Sequence, residues 1–88
     1  MVIIIKPIGE FDFRLDDSFR AVYQNEKSDM RYVLDMEKVT WLDSTALGMM
    51  IKLQAHTGGR LDIQIINSSQ AVREVFNIVH FGEMFQII

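Results

Sequence analysis

Apolar residues recur along this chain at two spacings, in short β-branched runs and in longer stretches of helical period. Val2-Ile3-Ile4-Ile5 is such a run, and Ile8 continues it past Pro7. The pattern predicts a strand from about Val2 to Ile8, with the proline at an edge or bulge because it lacks an N–H. Gly9-Glu10 breaks the pattern, and Phe11 and Phe13 alternate with Asp12 and Arg14 in an extended segment. Asp16 or Asp17 then caps a first helix with an apolar stripe of Phe19, Val22 and Tyr23, and Lys27-Ser28-Asp29 ends it. Tyr32–Met36 reads as a second strand, and Val39 and Trp41-Leu42 lead to the next turn. Asp43-Ser44-Thr45 is a capping sequence. The helix it opens carries Leu47, Met50, Ile51 and Ala55 near one stripe, and Thr57-Gly58-Gly59 stops it. Leu61–Ile66 is a third strand. Asn67-Ser68-Ser69 caps a third helix with Val72, Val75, Phe76 and Val79 on one face, the clearest helical signal in the chain. Gly82 closes it, and Met84–Ile88 is a final short strand, reached after one turn of helix.

The order is β-α-β-α-β-α-β. Alternation of this kind predicts an α/β fold, a mostly parallel four-stranded sheet joined by right-handed crossovers. Three helices cover much of the sheet without covering both faces equally.

With 88 residues the chain reads as one domain, 1–88, with a single thin core. It has no cysteine, so it is neither a disulfide-stapled secreted scaffold nor a thiol enzyme. Its N-terminal apolar run is too short for a signal-peptide core, and no segment is long enough to span a bilayer. A cytoplasmic protein is expected, with no membrane association. Net charge is −3, and the lysines and arginines are scattered, which argues against nucleic-acid binding.

Chemistry concentrates at Asp43-Ser44-Thr45-Ala46-Leu47-Gly48, where a strand hands over to a helix. Ligands and partners collect at such strand ends in open α/β folds. Ser44 has two readings on this pattern, an N-cap or a group that meets ligands at the helix N-terminus, where a phosphate would find N–H donors. Gly48 lets something approach the backbone closely. A serine hydrolase is excluded, because His56 lies about 18 Å further along the same helix at 1.5 Å per residue. His80 reads as a surface residue or cap. There is no phosphate-binding loop of the Gly-Lys-Ser type, and neither histidine has a partner at metal-ligand spacing. Glu10, Asp12, Asp35 and Asp43 read as surface charges and caps rather than a cation site. Met49 falls off the Leu47/Met50/Ile51 stripe. It has two readings, core filler like most of the methionines or, with Leu53 and Phe11, part of an apolar surface beside Ser44. No cofactor, metal or catalytic residue is assigned.

The Gly9-Glu10-Phe11-Asp12 turn, the strand ending Val39-Thr40-Trp41-Leu42, the Asp43–Gly48 segment and the tail with Phe81, Gly82, Met84, Phe85 and Ile87 together resemble the STAS domain. The likeness runs through essentially the whole chain and is greatest to the bacterial anti-sigma factor antagonists, in the form found in Gram-negative partner-switching systems. It implies a switch protein and not an enzyme. Ser44 corresponds to the family's phosphoacceptor, with Asp43, Thr45 and Asp12 supporting it. Phe11, Asp12, Ser44, Ala46, Met49 and Leu53 would make the partner surface. The unphosphorylated form would bind an anti-sigma protein of the histidine-kinase-like ATPase fold and release the sigma factor. That partner would also be the serine kinase, and a PP2C-type phosphatase, or a response regulator carrying one, would reverse the mark. The alternative within the family is a non-phosphorylated scaffold subunit of a stress-signalling or lipid-transport complex. Two departures stand out. Ala46 occupies a position where glycine is commoner, and either the extra N-terminal strand usual in the family is missing or the chain is a shortened form; an uncovered Ile-rich edge would then favour a weak dimer.

Overall fold

The computed structural model describes residues 1–59 and 63–88. In chain order the elements are β1 (Val2–Ile5), β2 (Gly9–Phe11), α1 (Asp16–Tyr23), β3 (Arg31–Asp35), β4 (Val39–Leu42), α2 (Ser44–His56), β5 (Gln64–Ile66), α3 (Gln70–Ile78) and β6 (Gln86–Ile87). Single 3-10 turns at Phe13–Leu15 and Phe81–Glu83 precede α1 and β6. The main sheet is four-stranded, in the order β1-β3-β5-β6, and every pair in it is parallel. This is the α/β architecture that the alternating sequence pattern predicts.

Two strands depart from that expectation. The first strand stops at Ile5, before Pro7, and does not reach Ile8. The chain then forms β2, which pairs in parallel with β4 as a separate two-stranded sheet, with Phe11 opposite Leu42. The sequence pattern predicts a turn at Gly9–Asp12 and joins Val39–Leu42 to the strand before it, whereas each is a separate short strand. Neither is long enough to show a period of its own, and each is a strand only because of the other, some thirty residues away. Leu61 and Asp62 of the predicted third strand lie outside the described residues.

Register sorts the main sheet into two unlike faces. Ile3, Ile5, Tyr32, Leu34 and Ile65 share the face packed into the core, where Tyr32, Leu34 and Ile65 are fully buried. Tyr23 of α1 meets Tyr32 edge-on, with ring centroids 6.5 Å apart. Phe76 of α3 stacks on Phe81, and Phe81 meets Phe85, extending the same core toward β6. The other face carries Val2, Ile4, Val33, Gln64 and Ile66, all partly or largely exposed.

The helices bury faces somewhat different from those their stripes suggested. In α1, Phe19 and Tyr23 are buried while Val22 is at the surface. In α2 the buried residues are Ala46, Met49, Met50 and Leu53, whereas Ile51 is exposed and Leu47 half-buried. Apolar residues lie on every side of this helix, so its period does not choose a face, and packing against α1 and β4 does. In α3, Val72 and Phe76 are buried, and Val79 is exposed. Gly58 and Gly59 take φ of +78° and +77°, the left-handed exit expected after α2.

Candidate functional site

The pairing of β2 with β4 ends at Phe11 opposite Leu42, so the residues that follow, Asp12 and Asp43, emerge side by side. Each opens a helical segment. The Asp12 carboxylate accepts from the Arg14 backbone N–H at 3.0 Å and caps the 3-10 turn. Asp43 Oδ1 accepts from the Thr45 and Ala46 backbone N–H groups at 3.0 and 3.1 Å and caps α2. The cap is therefore Asp43 and not Ser44, a correction to one of the two readings of the serine. Ser44 is the first residue of the helix and exposed, and among the described residues its hydroxyl has no hydrogen-bonding partner.

Thr45 differs from its neighbour. Its Oγ1 donates to Asp43 Oδ1 at 2.5 Å, so one carboxylate oxygen gathers three donors. That bond, with the two amides, holds the Asp43 carboxyl below the usual range, against desolvation and the nearby charge of Asp12. Asp12 is nearly buried and also depressed, chiefly by hydrogen bonds from the Arg14 side chain. The Arg14 guanidinium bridges Asp12 and Glu10, which raises its own pKa. Asp35 stands apart at the end of β3. It accepts from Asn67 Nδ2 and the Glu37 N–H at 3.0 Å each and lies 3.6 Å from Lys6 Nζ.

The expected apolar surface is not where the sequence suggested. Phe11, Ala46 and Leu53 are fully buried and Met49 is 4% exposed, so the four do not form an exposed apolar surface. Side chains in β2 and α2 that looked spare along the chain are taken up by the core, where α2 packs on α1 and β4. Phe11 packs on Phe19, for example, at a centroid distance of 5.6 Å.

Sequence reasoning missed the groups that are on the surface here. Phe13, which follows Asp12 as Ser44 follows Asp43, is 67% exposed. With Asp16, Thr45, Gly48, Met49 and Lys52 it lines an open groove of about 420 Å³. A Cβ added at Gly48 would meet nothing within 4 Å, so that glycine opens onto the groove rather than serving the core. Trp41, three residues before Ser44, is 51% exposed beside Ala71, Val72 and Val75 of the α3 segment. Nothing along the chain marked Phe13, because in a continuing strand Phe11 and Phe13 would share one face; β2 ends at Phe11, and the 3-10 turn that starts at Phe13 breaks that alternation. His56 closes α2 far from Ser44, with Nε2 2.9 Å from the Glu26 carbonyl oxygen. Among the described residues no group of three acidic, histidine or cysteine side chains is arranged to hold a metal, and no helix is long and apolar enough to cross a membrane.

Comparison with known proteins places this geometry in context. A family model described as the STAS domain matches residues 1–88. A STAS-domain containing protein of Pseudomonas aeruginosa strain UCBPP-PA14 is 40% identical over 81 residues, covering 90% of this chain and 80% of the relative. Among solved structures, the anti-sigma factor antagonist SpoIIAA in its unphosphorylated form aligns with a TM-score of 0.71 at 19% identity, covering 99% of this chain and 78% of that one. A sulfate transporter family protein from Wolinella succinogenes aligns with a TM-score of 0.75, also at 19% identity, over 97% of this chain and 75% of that one.

Proposed function

The chain belongs to the STAS domain family, and from that premise we propose that it is an anti-sigma factor antagonist switched by phosphorylation of Ser44. The observation that carries this reading is the state of the serine. It is exposed, has no hydrogen-bonding partner among the described residues, and begins a helix whose cap is supplied by Asp43. A hydroxyl with no structural duty can be modified at little cost to the fold. Phe13 on one flank and Trp41 on the other are the exposed aromatics of the docking surface, in place of Phe11, Ala46, Met49 and Leu53. Aromatic side chains of this kind are the usual anchors of protein interfaces.

In this reading the unmodified protein binds a kinase-fold anti-sigma protein in the cytoplasm and frees the sigma factor. The same partner phosphorylates Ser44, and a PP2C-type phosphatase restores it. Phosphate breaks binding because about −1.5 to −2 charges would have to be desolvated against a surface built for a neutral hydroxyl. ATP and its metal belong to the partner. Magnesium ATP and an extract of the source cells supply the test, read by intact mass. A single added phosphate, absent from Ser44→Ala, supports the switch. An unmodified mass, with the protein recovered in a large stress or lipid-transport assembly, would replace it with the scaffold reading.

A further inference from the structure

We infer that Asp43 is a positioning residue that withholds Thr45 from modification and leaves Ser44 as the acceptor. The inference rests on the reading of this junction as a phosphorylation site and says what decides between two adjacent exposed hydroxyls.

Ser44 and Thr45 are consecutive, both exposed, and both in the first turn of α2. Their hydroxyls are in different states. Thr45 Oγ1 gives its one proton to Asp43 Oδ1 at 2.5 Å, and the same oxygen takes the Thr45 and Ala46 amides. Ser44 Oγ makes no such bond among the described residues. In the transfer, the attacking hydroxyl oxygen forms a bond to the γ-phosphorus of ATP. The bond from that phosphorus to the β–γ bridging oxygen breaks, ADP leaves with the electron pair, and the hydroxyl proton passes to a base of the kinase. Thr45 enters this reaction only by turning its Oγ1 out of a hydrogen bond to an ionised group, which is among the stronger bonds available to a hydroxyl.

Two further consequences favour Ser44. Asp43 is a weak base toward Thr45, because its three donors stabilise the carboxylate. A phosphate ester on Thr45 would also have no proton left to donate and would set a dianion against the carboxylate that caps the helix. On Ser44 all three bonds to Asp43 can persist. The chain thus spends one carboxylate on both holding the helix end and silencing its second hydroxyl.

The test compares wild type, Asp43→Asn and Asp43→Ala in extract of the source cells with magnesium ATP, with the phosphate located by electron-transfer fragmentation. Asparagine retains an Oδ1 that can accept the same donors and cap the helix. Wild type and Asp43→Asn should both favour Ser44 over Thr45. In Asp43→Ala that preference should fall by about tenfold or more, the equivalent of one charged hydrogen bond. Comparable phosphate on Ser44 and Thr45 in wild type, or an unchanged Ser44 preference in Asp43→Ala, would overturn this inference and leave the switch at Ser44 intact. Absence of phosphate from every form would instead remove the switch reading and this inference with it. A measurement without any kinase guards against misfolding of the alanine variant. The Thr45 hydroxyl proton should exchange slowly enough to be seen by NMR in wild type, and rapid exchange there would also overturn the assignment.

Discussion

Phe11→Ala and Phe13→Ala remove the same ring from positions on either side of Asp12, and the two variants should fail in opposite ways. Phe11 is fully buried and packs on Phe19 at 5.6 Å between centroids. Truncating a buried phenylalanine costs about 3–5 kcal/mol, transfer and cavity together. A domain of this size has roughly 4–13 kcal/mol in total, so Phe11→Ala should melt many degrees lower or not fold. Phe13 is 67% exposed, so only about a third of its burial energy is at stake. With about 1.5–3 kcal/mol for a fully buried side chain, that is roughly 0.5–1 kcal/mol. In a domain of this length it lowers Tm by about 2–8 °C. If Phe13 is an interface anchor, its removal costs at least about 2 kcal/mol of binding, close to thirtyfold in Kd. Melting by circular dichroism and titration calorimetry against the purified kinase-fold partner separate the two effects. Wild-type affinity in Phe13→Ala would refute the assigned docking surface. A stably folded Phe11→Ala with weakened binding would return Phe11 to the interface and contradict its burial.

Three more outcomes follow from the same geometry. Ser44→Ala should change stability by less than about 0.5 kcal/mol, because the serine caps nothing, whereas Asp43→Ala should melt several degrees lower; equal melting temperatures would show the cap is misassigned. Asp12, Asp35 and Asp43 are all held below the ordinary value of 3.8, by Arg14, by Asn67 with Glu37, and by Thr45 with Ala46. A depressed folded pKa contributes stability that is present above the unfolded value and lost as pH falls through the folded one. Urea midpoints should therefore hold at neutral pH and drop below about pH 4, and a flat profile down to pH 3 would contradict the three assignments. Strand β1 is an edge of the main sheet with no charge within Val2–Ile5, and its Ile4 is 62% exposed. Ile4→Lys should reduce weak self-association in sedimentation velocity, and wild type that stays monomeric at high concentration would remove the edge dimer.

How much of this was legible depended on whether a feature was local. The strands at Val2–Ile5, Arg31–Asp35 and Gln86–Ile87 and the Thr57-Gly58-Gly59 exit announce themselves within a few residues, although the apolar pattern carries the first on to Ile8, the second on to Met36, and begins the last at Met84. Strand β2 does not. It is three residues long, begins at Gly9 with φ of +78°, and contains a register shift after that glycine. It exists only through its pairing with Val39–Leu42. The N-cap of α2 was ambiguous for a related reason. Asp43, Ser44 and Thr45 are all good capping types, and local preference does not choose among them. The choice is made where β4 ends, at Leu42 opposite Phe11, which leaves Asp43 as the first residue outside the strand. Likewise Phe11 and Phe13 look equivalent along the chain, and only the packing of α1 decides which ring is inside.

Placing the cap on Asp43 also changes what a phosphate on Ser44 would meet. The sequence suggested that the helix N-terminus would receive it with unpaired N–H groups. In the structure the Thr45 and Ala46 amides already bond Asp43 Oδ1, and the Leu47 amide bonds the Asp43 carbonyl at 3.3 Å. The helix end still presents roughly half a positive charge. Against it stand the full charge of Asp43 and that of the Glu10-Arg14-Asp12 group, in which one guanidinium serves two carboxylates. The local field is therefore negative, and it should resist the second ionisation of the phosphate. Phosphoserine normally loses its second proton near pH 6. On Ser44 that step should move above pH 6, and Asp43→Asn should bring it back toward the ordinary value. Phosphorus NMR of the phosphorylated protein across pH 5–8 measures the shift directly. A second pKa at or below 6 in wild type would mean that the helix end, and not the carboxylates, governs the site.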